Sequence, residues 1–224
     1  MNLSPLCYGL GYLTGLGAFW LMARQRGLAT QGVFALLMAG LVGGLACANL
    51  AQWIFAGTAG KTVLGAVAGG YLCVALYKRY LGIRRPLGDL FAVALSAGEA
   101  VGRWGCFFAG CCYGRTCTHL PWAIWQHDAW RHPTQAYLSL ASLGIFMSLL
   151  CVERLRPPEN TLFFLQGLLY CGARFGIEFL RDSPRATLNL SAAQWACLVG
   201  GLFFATRLTL LLHSTRRSYK HATA

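Results

Sequence analysis

Charge is what this sequence lacks most. Only 12% of its 224 residues are Asp, Glu, Lys or Arg, and acidic residues number seven. An ordinary soluble domain carries about 25% charged residues. With 56% apolar residues and a mean hydropathy of +0.50, the scarcity excludes both a soluble globule and a disordered chain. The 27 glycines follow no collagen-like period, and no internal repeat at a fixed period suggests a solenoid. The first apolar run lacks a basic flank and an A-x-A-type cleavage site, so no removed signal peptide is expected. What is abundant fits a polytopic all-α membrane protein, in which small residues let helix backbones approach closely.

A spanning helix needs about 20 mostly apolar residues. Seven such runs are legible, at about 5–23, 30–56, 62–77, 87–112, 134–152, 160–180 and 192–213. The third is short and glycine-rich, and the second is long enough to tilt or bend near Gly43-Gly44. We expect one transmembrane helical domain over 1–224, with a single long connection, 113–133, as an interfacial loop. That loop holds Trp122, Trp125 and Trp130, a residue type that gathers at membrane surfaces. A short amphipathic element is expected there.

The net charge of +12 is topological. With the N-terminus outside, twelve basic residues fall on the inner side and five outside: Lys61, Arg115, Arg131, Arg181 and Arg185. Lys and Arg accumulate on the cytoplasmic side, so the expectation is N-out and C-in, with no nucleic-acid partner.

Arg103 and Arg174 remain inside the runs, each four residues from a glutamate, Glu99 and Glu178. A charge at mid-membrane costs at least about 2.5–3.5 kcal/mol and needs a reason. Spacing of four puts each pair on one helix face, where it neutralises itself. Counted from Leu87, Arg103 lies about 24 Å along its helix, and counted from Asn160, Arg174 lies about 21 Å along its own, at 1.5 Å per residue. Two guanidiniums at matching depth in the outer half suit a phosphate clamp, and the phosphate native to that depth is a phospholipid headgroup. Tyr8, His132 and Gln194 fall at the same level, and Pro133 fits the first turn of the fifth helix.

These residues sit in ordered motifs. Tyr8-Gly9-Leu10 with Tyr12, Gly102-Arg103-Trp104-Gly105-x-Phe107 continuing to Tyr113-Gly114, Arg131-His132-Pro133-Thr134-Gln135-x-Tyr137, Arg174-Phe175-x-x-Glu178-Phe179-x-Arg181, and Leu190-Ser191-x-x-Gln194 occur in that order. Together they resemble the prolipoprotein diacylglyceryl transferase family over nearly the whole chain. The resemblance implies seven spans and transfer of diacylglycerol from phosphatidylglycerol to a lipobox cysteine. Departures accompany it. Cys106 and Cys111 stand where the family signature has Asn and Glu, and Gly65, in Val63-Leu64-Gly65-Ala66-Val67, stands where the family carries a third-span histidine. Leu45, after Gly43-Gly44, replaces an arginine.

Of ten cysteines, six lie singly in apolar runs and read as small packing groups. Cys106, Cys111, Cys112 and Cys117 cluster, with His119 two residues on, in a spacing unlike the usual C-x2-C zinc pairs. A disulfide staple on an oxidising face, reactive thiols beside Arg103, and a metal site stay open as alternatives. A Cys106–Cys111 bridge requires the helix to end between them, at Gly110.

The sequence is therefore expected to encode a transferase, multi-pass in the plasma membrane, acting in the outer leaflet without a cofactor or catalytic metal. Its partners are phosphatidylglycerol and a thiol-bearing acceptor such as a prolipoprotein. Expected catalytic groups are Arg103, Arg174, His132, Tyr8, Cys106 and Cys111. Expected substrate-binding groups are Gly102, Gly114, Glu178, Glu99, Gln135 and Gln194. The alternative is a membrane thiol-redox or metal-handling protein on the same scaffold.

Overall fold

The structure is a computed structural model that describes residues 3–56, 63–185 and 187–222. Lys61 and Thr62 lie outside the described residues. The described chain forms seven α-helices: α1 (Ser4–Gln25), α2 (Gln31–Ala56), α3 (Val63–Tyr80), α4 (Gly88–Phe108), α5 (Thr134–Glu153), α6 (Thr161–Glu178) and α7 (Ala192–Ala222). Between α4 and α5 lie two short strands, β1 (Ile124–Gln126) and β2 (Ala129–Arg131). α1, α2, α5 and α7 are apolar and long enough to cross a membrane by length and composition alone. α4 and α6 carry the two Arg–Glu pairs, so these helices depend on neighbours to receive their polar groups.

The chain divides into two compact units, Trp20–Pro86 and a larger one of Met1–Phe19 with Leu87–Ala224. In the smaller, α2 and α3 run antiparallel in close contact. Gly43 lies against Cys73, Gly44 against Ala66 and Gly70, and Gly69 against Cys47. α2 continues through Gly43-Gly44 without a break, so these glycines serve helix approach rather than the bend expected from the length of the run.

In the larger unit, α1 crosses α4 on paired small residues four apart. A Cβ on Gly11 would lie 2.8 Å from Gly102 Cα, and one on Gly98 would lie 3.0 Å from the Gly11 carbonyl and 3.5 Å from Gly15 Cα. Helix association of this kind rests on backbone contact. At the opposite end of α4, the buried Asp89 carboxylate accepts the backbone N–H groups of Asn160 and Phe163, each at 3.0 Å. It thereby caps α6, whose own N-cap, Asn160, has a left-handed backbone and makes no side-chain cap. On α7 a polar side chain is buried and apolar ones are exposed: Gln194 is 0% exposed, whereas Val199 and Leu202 are 70% and 71% exposed. That inversion suits a surface solvated by lipid tails.

The long connection is an antiparallel β-hairpin in which Trp125 pairs with Trp130. His127 and Asp128 turn it with φ of 49° and 59°, the signature of a two-residue turn matched to strand twist. Trp122, Trp125 and Trp130 are all exposed.

Candidate active site

Arg103 is placed by the last turns of α4, where its Nε donates to Glu99 Oε1 at 2.8 Å and its Nη2 to the same oxygen. α6 adds Tyr170, whose hydroxyl accepts from Arg103 Nη2 at 3.2 Å and donates to Glu99 Oε1 at 3.1 Å. α5 adds Ser142, which donates to Glu99 Oε2 at 3.2 Å. Three helices therefore meet at one carboxylate, and that carboxylate fixes the guanidinium.

The second arginine is built alike. Arg174 Nη2 lies 2.8 Å from Glu178 Oε2. Glu178, 3% exposed, also accepts from Ser183 at 2.8 Å and Ser191 at 3.1 Å through Oε1, and its Oε2 lies 3.7 Å from Arg181. The other end of the guanidinium differs: Arg174 Nη1 is buried with no hydrogen-bond partner among the described residues. Both guanidiniums act electrostatically on Tyr170, one helical turn before Arg174.

Beyond Arg103 the helix stops. Gly110 takes φ of 64°, its N–H donates to Phe107 O, and Cys111 N–H donates to Cys106 O, both at 3.1 Å. This is the pattern of a helix closed by a left-handed glycine. It folds Cys111 back over Cys106. Cys112 is itself left-handed, φ 61°, and the Sγ atoms of Cys106, Cys111 and Cys112 all lie within 4.8 Å of one another. All three are free thiols. Tyr8 of α1 lies with its ring on Gly105, and its hydroxyl donates to Cys106 Sγ at 3.4 Å.

The start of α5 holds this turn in place. Thr134 Oγ1 donates to Cys112 O at 2.7 Å and Gln135 Nε2 to Cys111 O at 2.8 Å. Gln135 is 1% exposed and its Oε1 has no partner among the described residues. The His132 ring meets Tyr137, Nδ1 lying 3.4 Å from the hydroxyl, which in turn accepts from Trp122 Nε1 at 2.9 Å. Gly114 is pinched between His132 and Leu180, with no room for a Cβ. Arg131 ties the same layer together through Gln126 O, Gly114 O and Asp182, at 3.0, 3.2 and 2.8 Å.

The expected site residues thus fall into three groups. Arg103 and Glu99 form one ion pair, Arg174 and Glu178 a second, and Tyr8 meets Cys106 and Cys111 at the end of α4. Gly102, Gly114 and Gln135 serve the architecture: Gly102 at the α1–α4 crossing, Gly114 at a close backbone approach, and Gln135 as a side-chain anchor on the Cys111 carbonyl. Gln194 is occupied as a cap, its Oε1 accepting from Ser191 N at 2.9 Å and its N–H meeting Ser191 Oγ at 3.2 Å. That is the reciprocal Ser-x-x-Gln capping box. His132 contacts Tyr137 rather than either arginine. Tyr170, Ser142 and Ser183 were not singled out in the sequence, whereas Ser191 stood in the Leu190-Ser191-x-x-Gln194 motif. Only Tyr170 carried a signal that could have found it, its spacing of four from Arg174.

Comparison with known proteins identifies relatives along most of the chain. The chain is 28% identical over 221 residues to a phosphatidylglycerol–prolipoprotein diacylglyceryl transferase of Clostridium tetani (strain Massachusetts / E88), covering 85% of this chain and 88% of that protein. It is 28% identical to the protein so named from Dehalococcoides mccartyi (strain CBDB1), over 97% of this chain and 96% of that one. Identity reaches 35% with the Gloeobacter violaceus (strain ATCC 29082 / PCC 7421) protein of the same name, over 70% of this chain and 63% of that one. The family model spans residues 2–210, which takes in α1 to α6 and most of α7: this chain belongs to the prolipoprotein diacylglyceryl transferase family of integral membrane proteins.

Proposed function

We propose that this chain transfers the diacylglyceryl group of phosphatidylglycerol to the cysteine thiol of a prolipoprotein, in the outer half of the plasma membrane, with its N-terminus outside and its C-terminus inside. The observation that carries the reading is Arg174 Nη1, buried and without a hydrogen-bond partner among the described residues, on a guanidinium whose Nη2 lies 2.8 Å from Glu178 Oε2. An unsatisfied charged donor inside a bundle costs free energy that a ligand oxygen recovers. A phosphate provides such oxygens, and Arg103, which hydrogen-bonds Tyr170 one turn before Arg174 on α6, gives the second donor of the clamp. The names of the relatives fit this reading.

In the reaction the acceptor sulfur attacks the glyceryl carbon that bears the phosphate. A C–S bond forms, the C–O bond breaks, and glycerol phosphate departs with the electron pair. Donors already fixed before charge develops lower the barrier most. Glu99 and Glu178 provide that fixity by holding the two guanidiniums. The acceptor's S–H bond breaks as it attacks, and Tyr8 and His132, which position the headgroup, pass that proton to the departing glycerol phosphate.

The test incubates purified protein with phosphatidylglycerol and a peptide bearing one acceptor cysteine, followed by mass spectrometry. A peptide heavier by one diacylglyceryl group, with release of glycerol phosphate, is expected. Absence of both products would refute the reading. The three adjoining thiols favour a second reading, a thiol-redox or metal-handling protein on the same scaffold.

A further inference from the structure

We propose that Cys106, Cys111 and Cys112 form a three-thiolate site for a thiophilic divalent cation of the zinc class, whose remaining coordination position takes the acceptor thiol. The second half rests on the transferase reading above; the first does not.

The geometry is built by the backbone. A left-handed Gly110 folds Cys111 onto Cys106, a left-handed Cys112 turns the next thiol the same way, and Thr134 and Gln135 pin the carbonyls of Cys112 and Cys111. A non-glycine residue rarely takes positive φ. Cys112 takes it here, which brings its thiol to the other two, and Cys111 is exposed. A disulfide staple would join two thiols, whereas three converge here, each within 4.8 Å of the others. Four-coordinate zinc, with Zn–S of about 2.3 Å, sets its sulfurs about 3.8 Å apart. With no pair more than 4.8 Å apart, the three sulfurs lie within side-chain reach of that size.

Three protein ligands and one open position are the arrangement of cations that act on a bound group. On loading, each thiol releases a proton to solvent, and three thiolates with a divalent cation carry a net charge of −1. Arg103 and Arg181, which act electrostatically on Cys106 and Cys112, offset that charge. An acceptor thiol entering the fourth position also loses its proton, because a metal-bound thiol is deprotonated. It thereby becomes the nucleophile that the reaction requires, one helical turn from Arg103.

The experiment uses the full chain in detergent. Cadmium and zinc uptake is measured by equilibrium dialysis for wild type, Cys106→Ser, Cys111→Ser, Cys112→Ser and, as control, Cys117→Ser. One equivalent is expected for wild type and Cys117→Ser, with affinity at least tenfold weaker in each of the other three. Equal uptake by all five proteins, or none by wild type, would overturn the site. So would an intact mass two hydrogens short that maps to a bridge among the three cysteines. Cobalt loading then tests the fourth position: the sulfur-to-cobalt charge-transfer band should intensify when the thiol peptide is added. A band indifferent to the peptide refutes thiol capture. Thioether formation at full rate by chelator-stripped protein also refutes it, yet leaves the transferase reading standing. Failure of product in loaded and stripped protein alike defeats that reading, while dialysis and the cobalt band still decide the site.

Discussion

The backbone N–H of Cys111 donates to the carbonyl of Cys106 at 3.1 Å, so the residue that follows the end of α4 is bonded back into its last turns. The bond exists because Gly110 adopts φ of 64°. Gly110→Ala forces an L-residue into that region, at a cost of about 1–2 kcal/mol. We expect a lower thermal midpoint in detergent and slower capture of Cys106 and Cys111 by a short bifunctional thiol reagent. Unchanged stability and capture would show that the turn forms without its glycine.

Much of the fold was legible because the membrane simplifies the code. Lipid demands long apolar helices, and all seven expected runs coincide with helices. Their ends were less legible. The apolar run of α4 continues to Cys112, yet the helix closes at Phe108, because a glycine cap competes with apolar continuity and wins. The hairpin was hidden for a similar reason: its turn uses His127-Asp128, without the Asn-Gly or Asp-Gly that marks such turns. Arg103 and Arg174 stood out because charge is rare in such a chain. Tyr170 and Ser142 did not, since one hydroxyl on an apolar helix is ordinary, and only the packing of α4, α5 and α6 shows both reaching Glu99.

Asp89 gives a prediction about assembly rather than chemistry. Its carboxylate takes two backbone donors from the start of α6, whose N-cap residue Asn160 makes no side-chain cap of its own. Asp89→Ala should cost about 1–2 kcal/mol, the range for loss of an N-cap. The check is the thermal midpoint in detergent, which should fall. Substrate affinity measured at a temperature where the variant is still folded should stay within about twofold, a bound smaller than 1.4 kcal/mol per tenfold would allow for any contact with ligand.

Orientation yields the next. With the N-terminus outside, Trp122→Cys should react with a membrane-impermeant thiol reagent in intact cells, and Arg216→Cys should not, on a background lacking reactive native cysteines. The reverse pattern would place the hairpin in the cytoplasm and remove the outer-leaflet site with it.

Arg103 and Tyr170 separate charge from placement. Arg103→Lys keeps the charge but loses the planar fork, with which one guanidinium contacts Glu99 and Tyr170 and, in the proposed arrangement, a phosphate as well. We expect kcat/KM to fall at least tenfold, equivalent to about 1.4 kcal/mol of transition-state stabilisation, with the protein still folded. Arg174→Lys should behave alike. Tyr170→Phe removes one hydroxyl that links Arg103 to Glu99 and touches no substrate in the proposed arrangement. A positioning residue of this kind should lower kcat with little change in KM, because the clamp still binds phosphate in the ground state but holds it less rigidly as charge develops. The effect should be smaller than for either lysine variant and should vanish in the Arg103→Lys background, where there is no fork left to orient. If instead the two losses multiply, Tyr170 acts independently of Arg103, and the shared clamp across α4 and α6 fails as an account of the site.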